Sequence, residues 1–120
     1  MKKYLIIATI LTFATLGFSV QNRLEITQPN SGTLTYGKYF NIQWNSNFND
    51  MLDIFIFRGT TEVGKIAVNV PASKHLFRWK TGFLFRKGSV HGQGYKIKIV
   101  AKSKHLMDMS NNFFTLIFVY

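Results

Sequence analysis

Apolar and polar residues alternate with a period of two along most of the chain that follows the first twenty residues. Along residues 95–100, one tyrosine and two isoleucines fall on one side, and Lys96 and Lys98 fall on the other. Successive side chains of a strand point to opposite faces of a sheet, so this pattern predicts a half-buried antiparallel strand. A glycine-rich turn at residues 91–94 precedes the strand and allows the positive φ that a tight connection needs.

Six further strands are predicted, most of them from alternation and the third and last from runs that are apolar on both faces. Turns rich in Gly, Pro, Asn and Asp separate them. No segment of the mature chain keeps an apolar period of 3.6 residues, so we expect little or no helix. The pattern therefore predicts an all-β fold, an immunoglobulin-like antiparallel β-sandwich of about seven strands. The six further strands are predicted at residues 23–27, 39–44, 52–57, 63–70, 75–79 and 113–119. Pro71 after the fourth of these predicts an edge strand or a strand end. Residues 101–112 are predicted to be a polar connection, and residues 83–85 either a short turn of helix or a hydrophobic plug.

Large aromatic residues stand at core positions of these strands. Trp44, Trp79 and Tyr95 lie on the apolar side of their strands, and we expect all three to be largely buried, with Phe77 beside Trp79. Immunoglobulin-like sandwiches place a tyrosine near the start of a central strand, where its hydroxyl binds the backbone a few residues upstream. Tyr95 has that position. The alternative is an ordinary strand tyrosine whose hydroxyl reaches solvent.

The first nineteen residues have the layout of a secretory signal peptide. Two lysines follow the first Met, residues 5–16 form an apolar run broken only by threonine, and Gly17 and Ser19 supply small residues for cleavage. We predict a signal peptide over residues 1–19 and one domain over residues 20–120, with no stable membrane span after cleavage. The alternative is a retained membrane anchor.

Six short segments share an order and spacing with one family of extracellular domains. They are Ile26-Thr27-x-Pro29-x-x-Gly32, Gly37-x-x-Phe40-x-Ile42-x-Trp44, Leu52-x-Ile54-x-Ile56 with Gly59, Phe77-x-Trp79, Gly94-Tyr95-x-Ile97-x-Ile99 and Ser110-x-x-x-Phe114-x-Leu116. Together they resemble the Kre9/Knh1-type N-terminal immunoglobulin-like domain of Ser/Thr-rich, GPI-anchored and cell-wall-associated proteins. The resemblance implies an extracellular β-sandwich, associated in fungal members with cell-wall β-glucan assembly, and it carries over no catalytic motif.

Composition and charge narrow the classes of function. The 120 residues suffice for one domain, and the absence of cysteine excludes disulfides, a thiol nucleophile and a thiolate ligand. Without the two lysines of the predicted signal, 13 basic residues face 5 acidic ones, which leaves a net charge of +8. Such a charge attracts polyanions at long range, although dispersed lysines also serve solubility.

The titratable residues predict neither an enzyme nor a metal site. Asp50 and Asp53 are the only neighbouring carboxylates, and a strand entrance gives them no cleft in which to face each other. His75, His91 and His105 are scattered without the spacing of metal ligands. We therefore predict no catalytic residue, no metal and no cofactor.

Outward-facing residues supply the candidate binding site. If Ile54 and Ile56 point inward, their aromatic neighbours point outward, beside the lysines of the central strand. On the last strand, Phe118 and the residues two and four positions before it are expected to point inward, and their neighbours outward. We predict a binding surface of aromatics interleaved with lysines, because exposed apolar patches of this kind mark interfaces. The alternatives are a loop that covers the patch, such as residues 83–85, or a strand register shifted by one. The predicted binding residues are Phe55, Phe57, Lys96, Lys98, Phe113 and Ile117.

Two classes of function remain open from the sequence. The first is a secreted, non-catalytic binding or adhesion module at the cell surface or in the periplasm, which holds a carbohydrate or another anionic cell-envelope polymer. The second is a structural subunit that pairs through its aromatic sheet with another protein or with itself. Nucleic acid is disfavoured as a partner, because a secreted basic domain meets DNA only outside the cell.

Overall fold

The computed structural model describes residues 21–119, and the predicted signal peptide lies outside the described residues. Nine strands make up most of this part of the chain, and a three-residue 3₁₀ turn, Ala72–Lys74, follows the fifth. The strands are β1 Leu24–Gln28, β2 Gly32–Thr35, β3 Tyr39–Ser46, β4 Met51–Arg58, β5 Thr61–Pro71, β6 Leu76–Lys80, β7 Gly92–Ala101, β8 Leu106–Met109 and β9 Phe114–Ile117.

The strands form two sheets around one core. The smaller sheet has the order β1-β3-β6, and the larger has the order β2-β9-β7-β4-β5, with β8 paired to β7. All pairs are antiparallel except β2 with β9. The predicted all-β sandwich is confirmed. It has nine strands instead of about seven, because residues 32–35 and 106–109 also pair with neighbouring strands.

The core consists of the inward-facing residues of both sheets, as alternation requires. On β4, Ile54 and Ile56 are fully buried, and their partners on β7, Ile99 and Ile97, are fully buried too. The expected burial of the three large aromatics is confirmed, because Trp44, Trp79 and Tyr95 each expose 2% or less. Buried indole nitrogens need acceptors. Trp44 Nε1 donates to the Ala72 carbonyl at 3.0 Å, and Trp79 Nε1 donates to the Phe83 carbonyl at 2.9 Å.

Tyr95 makes the backbone contact that its position predicted. Its hydroxyl donates a hydrogen bond of 2.7 Å to the carbonyl of His91, four residues upstream. The turn between them passes through Gly92 and Gly94 at φ of +114° and +83°, which disfavours any side chain there. The Tyr95 hydroxyl therefore holds the turn that precedes β7 in place, as in other immunoglobulin-like sandwiches.

Three expectations about individual segments were wrong or incomplete. Phe118 was expected to face inward, but β9 ends before it, and its exposed ring packs 4.5 Å from Tyr36 and 4.8 Å from His91. Phe77 is only partly buried against the core. Residues 106–109 were expected to lie in a polar connection, but they form β8, where Asp108 accepts a hydrogen bond from the Ile26 amide at 2.7 Å.

The free edge of the larger sheet is covered by the loop between β6 and β7. Pro71 ends β5, which is the edge strand that the proline predicted. Phe85 donates its amide to the Lys65 carbonyl at 2.7 Å, and Leu84 packs over Gly64 toward the core. Residues 83–85 are therefore the hydrophobic plug rather than a helical turn. This cover also occupies backbone groups that an edge strand otherwise presents to other chains.

Candidate functional site

The outer face of the larger sheet carries most of the predicted binding residues. On β4, Phe55 and Phe57 alternate with buried isoleucines, and both rings are half-buried. In the antiparallel register with β7, Phe55 lies opposite Lys98 and Phe57 opposite Lys96. Residues directly opposite each other share a face, so the four side chains form one checkerboard. The strand register is therefore the one on which the predicted binding residues depend, and not the alternative register that is shifted by one residue.

Lysine ammonium groups lie over the aromatic rings of this checkerboard. Lys98 Nζ is 5.5 Å from the centre of the Phe57 ring, and Lys96 Nζ is 4.6 Å from that of Phe113, which is 52% exposed. Lys65 of β5 lies 5.4 Å from the centre of the Phe55 ring. These distances suit cation–π attraction. We call this surface the lysine–aromatic face, which consists of Phe55, Phe57, Lys65, Lys96, Lys98 and Phe113.

One predicted residue does not join this face, and one residue of the face was missed. Ile117 points outward on β9, but its partner is Thr35 of β2. It follows Leu116, which pairs with Gly92 at the start of β7, and it is therefore distant from Lys96. Lys65 was missed because β5 pairs with β4 through bulges, which break simple alternation. A lysine next to a glycine in an edge strand was the only local signal.

The plug at residues 83–85 does not cover the lysine–aromatic face. Leu84 lies over Gly64, whose partner Ile56 points into the core, so the leucine closes the interior. Phe83 packs 5.2 Å from Tyr36, at the end of the sandwich. The half-exposed rings of β4 therefore remain open to solvent on their outer side.

A pocket of about 420 Å³ lies at one end of the lysine–aromatic face. Asp53 stands two residues before Phe55 on β4, and its carboxylate is 3.8 Å from Lys65 Nζ and 3.4 Å from Lys102 Nζ. Lys65 belongs to the pocket and to the face, which makes the two continuous. The lining residues are Asp53, Lys65, Val68, Asn69, Phe85, Arg86 and Lys102.

The two neighbouring carboxylates, Asp50 and Asp53, make structural contacts. Asp50 accepts hydrogen bonds from Ser103 Oγ at 2.8 Å, from the amides of Met51 and Ser103 at 2.8 and 2.9 Å, and from that of Lys104 at 3.2 Å. Desolvation opposes its ionisation, but these hydrogen bonds, led by those from Ser103, outweigh it and hold the pKa of Asp50 below the usual value. Asp53 accepts from the Asn69 amide at 3.1 Å in addition to its lysines.

Residues 21–119 contain neither a cluster of metal ligands nor a membrane-spanning helix. No three His, Asp or Glu side chains there are grouped closely enough to hold a metal ion. No helix in this part of the chain is long and apolar enough to cross a membrane.

Comparison with known proteins places the architecture. The chain is similar to a solved structure of Clostridium thermocellum CbhA fibronectin(III)-like modules, with a TM-score of 0.50 and 13% sequence identity. The match covers 82% of this chain and 100% of the other. The fold is a fibronectin type III-like β-sandwich. At this identity the likeness shows the fold alone. No protein-family model and no curated protein matches the chain, so the Kre9/Knh1-type pattern remains a resemblance.

Proposed function

We propose that this fibronectin type III-like domain is a non-catalytic binding module that holds an anionic polysaccharide, or a similar cell-envelope polymer, on its lysine–aromatic face. The observation that carries the proposal is the checkerboard of β4 and β7, where Phe55 and Phe57 alternate with Lys96 and Lys98 on one open sheet face. Rings of this kind offer flat apolar surface to sugar rings, and the lysines offer charge to acidic groups.

The charges of the face favour an anionic partner. Neither Lys96 nor Lys98 forms an ion pair within the described part of the chain, so both ammonium groups are available to a ligand. The chain after the predicted signal peptide has a net charge of +8, which adds long-range attraction for a polyanion. Binding through exposed lysines weakens as salt rises, since exposed charges are screened beyond about 10 Å at 0.1 M ionic strength.

The acidic residues support a non-catalytic role. Asp50 is occupied by hydrogen bonds to the turn after β7, and Asp53 is held between two lysines and the Asn69 amide. Glycoside hydrolysis needs one carboxylic acid that gives a proton and a second carboxylate that attacks or activates water. Both neighbouring acids of this chain are committed to structural contacts instead.

Pairing through the aromatic face with another protein, or with a second copy, is the alternative. The exposure of Phe113 (52%) and Met107 (63%) supports it, because both lie at the β8–β9 side of the face. A symmetric pair of copies, however, brings the same patch of each against the other. Lys96 and Lys98 of one copy then approach those of its partner, and like charges in an interface are unfavourable. This repulsion favours an acidic polymer over self-association.

We place the module outside the cytoplasm, at the cell surface or in the periplasm, on the strength of the predicted signal peptide. The Kre9/Knh1-type resemblance supports a location in the cell envelope and a polysaccharide ligand. N-terminal sequencing of the exported protein is expected to begin near Val20. A start at Met1 would contradict the cleavage.

The binding proposal is tested with one double variant and a matched control. Phe55→Ser with Phe57→Ser removes both rings of β4 and leaves the lysines. Tyr39→Ser with Leu76→Ser removes two exposed apolar side chains from the outer side of the other sheet. Binding to immobilised polygalacturonate and to a neutral β-glucan is measured by affinity electrophoresis at several salt concentrations.

We expect the unaltered protein and the control to bind polygalacturonate, more tightly at low salt, and the Phe55/Phe57 variant to lose at least about tenfold in affinity. Circular dichroism checks that both variants are folded. If the variant binds as well as the control, the face is not the binding surface. A dimer that is seen by light scattering, and lost in the Phe55/Phe57 variant, would favour the pairing alternative.

A further inference from the structure

The pocket at the Asp53 end of the lysine–aromatic face has more positive than negative charge. Three cationic side chains, Lys65, Arg86 and Lys102, line it together with a single carboxylate. Asp53 is 8% exposed and is shared by the two lysines at 3.8 and 3.4 Å. One carboxylate therefore neutralises at most one of the three cations, and two positive charges remain uncompensated.

The donors of these cations are only partly used. Lys102 Nζ donates to Asn69 Oδ1 at 2.6 Å and is ion-paired with Asp53 at 3.4 Å. An ammonium has three hydrogens, so one is left for a further acceptor. The Arg86 guanidinium lies 5.5 Å from the centre of the Phe85 ring and has no hydrogen bond or ion pair among residues 21–119. A guanidinium carries five N–H donors in a planar fork that matches a carboxylate.

The backbone holds Arg86 at this position under strain. Its φ is +75°, in a region that residues other than glycine rarely adopt. Asn69, which also lines the pocket, has a φ of +55°, a conformation that asparagine adopts more readily. Hydrogen bonds hold the Arg86 turn in place, since the Lys87 amide donates to the Phe85 carbonyl at 3.0 Å and Leu84 donates to the Gly88 carbonyl at 3.0 Å. Strained residues persist where the surrounding structure holds them, and they cluster at ligand sites.

We propose that this pocket binds one carboxylate group of the acidic polysaccharide, between Arg86, Lys102 and Lys65, while the sugar chain continues across the rings of Phe55 and Phe57. This inference rests on the proposed function and names the part of the ligand that orients it. Lys65 joins the two regions, because its ammonium is 5.4 Å from the Phe55 ring and 3.8 Å from Asp53. An Arg–carboxylate contact can be bidentate, which makes it stronger and more directional than a contact with a single neutral donor.

The test compares charge removal inside and outside the pocket. Arg86→Gln and Lys102→Gln each remove one pocket cation. Arg78→Gln removes one cation from the opposite sheet, where Arg78 lies over the exposed Tyr39 ring at 3.9 Å. All three variants lower the net charge equally, so any difference between them is local. The titrants are hexagalacturonate, neutral cellohexaose and inorganic sulfate, and isothermal titration calorimetry measures each affinity.

We expect Arg86→Gln and Lys102→Gln to weaken hexagalacturonate binding about tenfold, and Arg78→Gln to change it less than about twofold. In ¹⁵N spectra, hexagalacturonate is expected to shift the amides of Asn69 and Phe85. Cellohexaose is expected to leave these amides unmoved. Sulfate is expected to compete weakly for the pocket without reaching the rings of β4.

Two results separate this inference from the proposed function. If both pocket variants bind like Arg78→Gln while the Phe55/Phe57 variant loses binding, the pocket carries no anion and the inference is overturned, but the binding face stands. If the unaltered protein binds no acidic polymer, both fail. Thermal melts of each variant are included, and Lys102→Gln serves as the deciding variant if Arg86→Gln is unstable.

Discussion

The hydroxyl of Tyr95 is a single group whose removal tests the architecture of β7. It donates to the His91 carbonyl at 2.7 Å from a side chain that is 2% exposed. Tyr95→Phe keeps the ring packing, including the Phe114 ring at 6.3 Å between centres, and removes only the donor. The net contribution of an intramolecular hydrogen bond to the free energy of unfolding is about 0.5–1.5 kcal/mol, and a buried acceptor that loses its donor adds to the loss. We therefore expect the free energy of unfolding to fall by about 1–1.5 kcal/mol.

The measurement is a pair of denaturation curves, thermal and in urea, followed by circular dichroism. For a domain of this size, a loss of 1 kcal/mol lowers Tm by about 4–8 °C. Tyr36→Phe is the matched control, because the Tyr36 hydroxyl makes no hydrogen bond within residues 21–119 and its ring contacts are kept. We expect that control to stay within about 0.5 kcal/mol of the unaltered protein.

Equal Tm values for the two variants would refute the reasoning. Such a result would mean that the His91 carbonyl finds water as readily as the tyrosine hydroxyl, so that Tyr95 contributes through its ring alone. A much larger loss, with a changed urea m-value, would instead show that the hydroxyl organises the whole turn before β7.

Two further stability predictions follow from other contacts. Trp79→Ala is expected to cost about 3–5 kcal/mol in a chemical melt, because it empties a fully buried site and frees the Phe83 carbonyl. An unchanged melt would show an exposed tryptophan. Asp50→Asn is expected to destabilise the domain above pH 3.8, the usual value for the carboxyl. Since the folded-state pKa is lowered, the carboxylate stabilises fully above the unfolded-state pKa, and that contribution disappears as pH falls through the folded-state pKa. The stability gap between Asp50→Asn and the unaltered protein should therefore close in acid, and a gap independent of pH would contradict this account.

Local alternation predicted the parts of the fold that depend on neighbouring residues in the chain. Residues 95–100 alternate clearly enough to assign which side chains share a face. Residues 52–57 are apolar on both faces, so the register stayed open until the structure placed Phe57 opposite Lys96. The same local signal misplaced Phe118, because it cannot tell where a strand ends. The strand pairing of β9 stops at Ile117, and the Phe118 ring then packs against Tyr36 and His91.

Contacts between distant segments decided the rest. Residues 106–109 have little strand character alone and become β8 only because β7 offers them a hydrogen-bonding edge. The pocket is lined by residues from four separate segments, which lie far apart in the sequence and have no regular spacing. They are Asp53 of β4, Lys65 of β5, Arg86 of the loop between β6 and β7, and Lys102 after β7. A period of two places side chains on a face through short-range geometry alone. Which faces and loops then meet depends on strand pairing and core packing, and therefore appeared only in the tertiary structure.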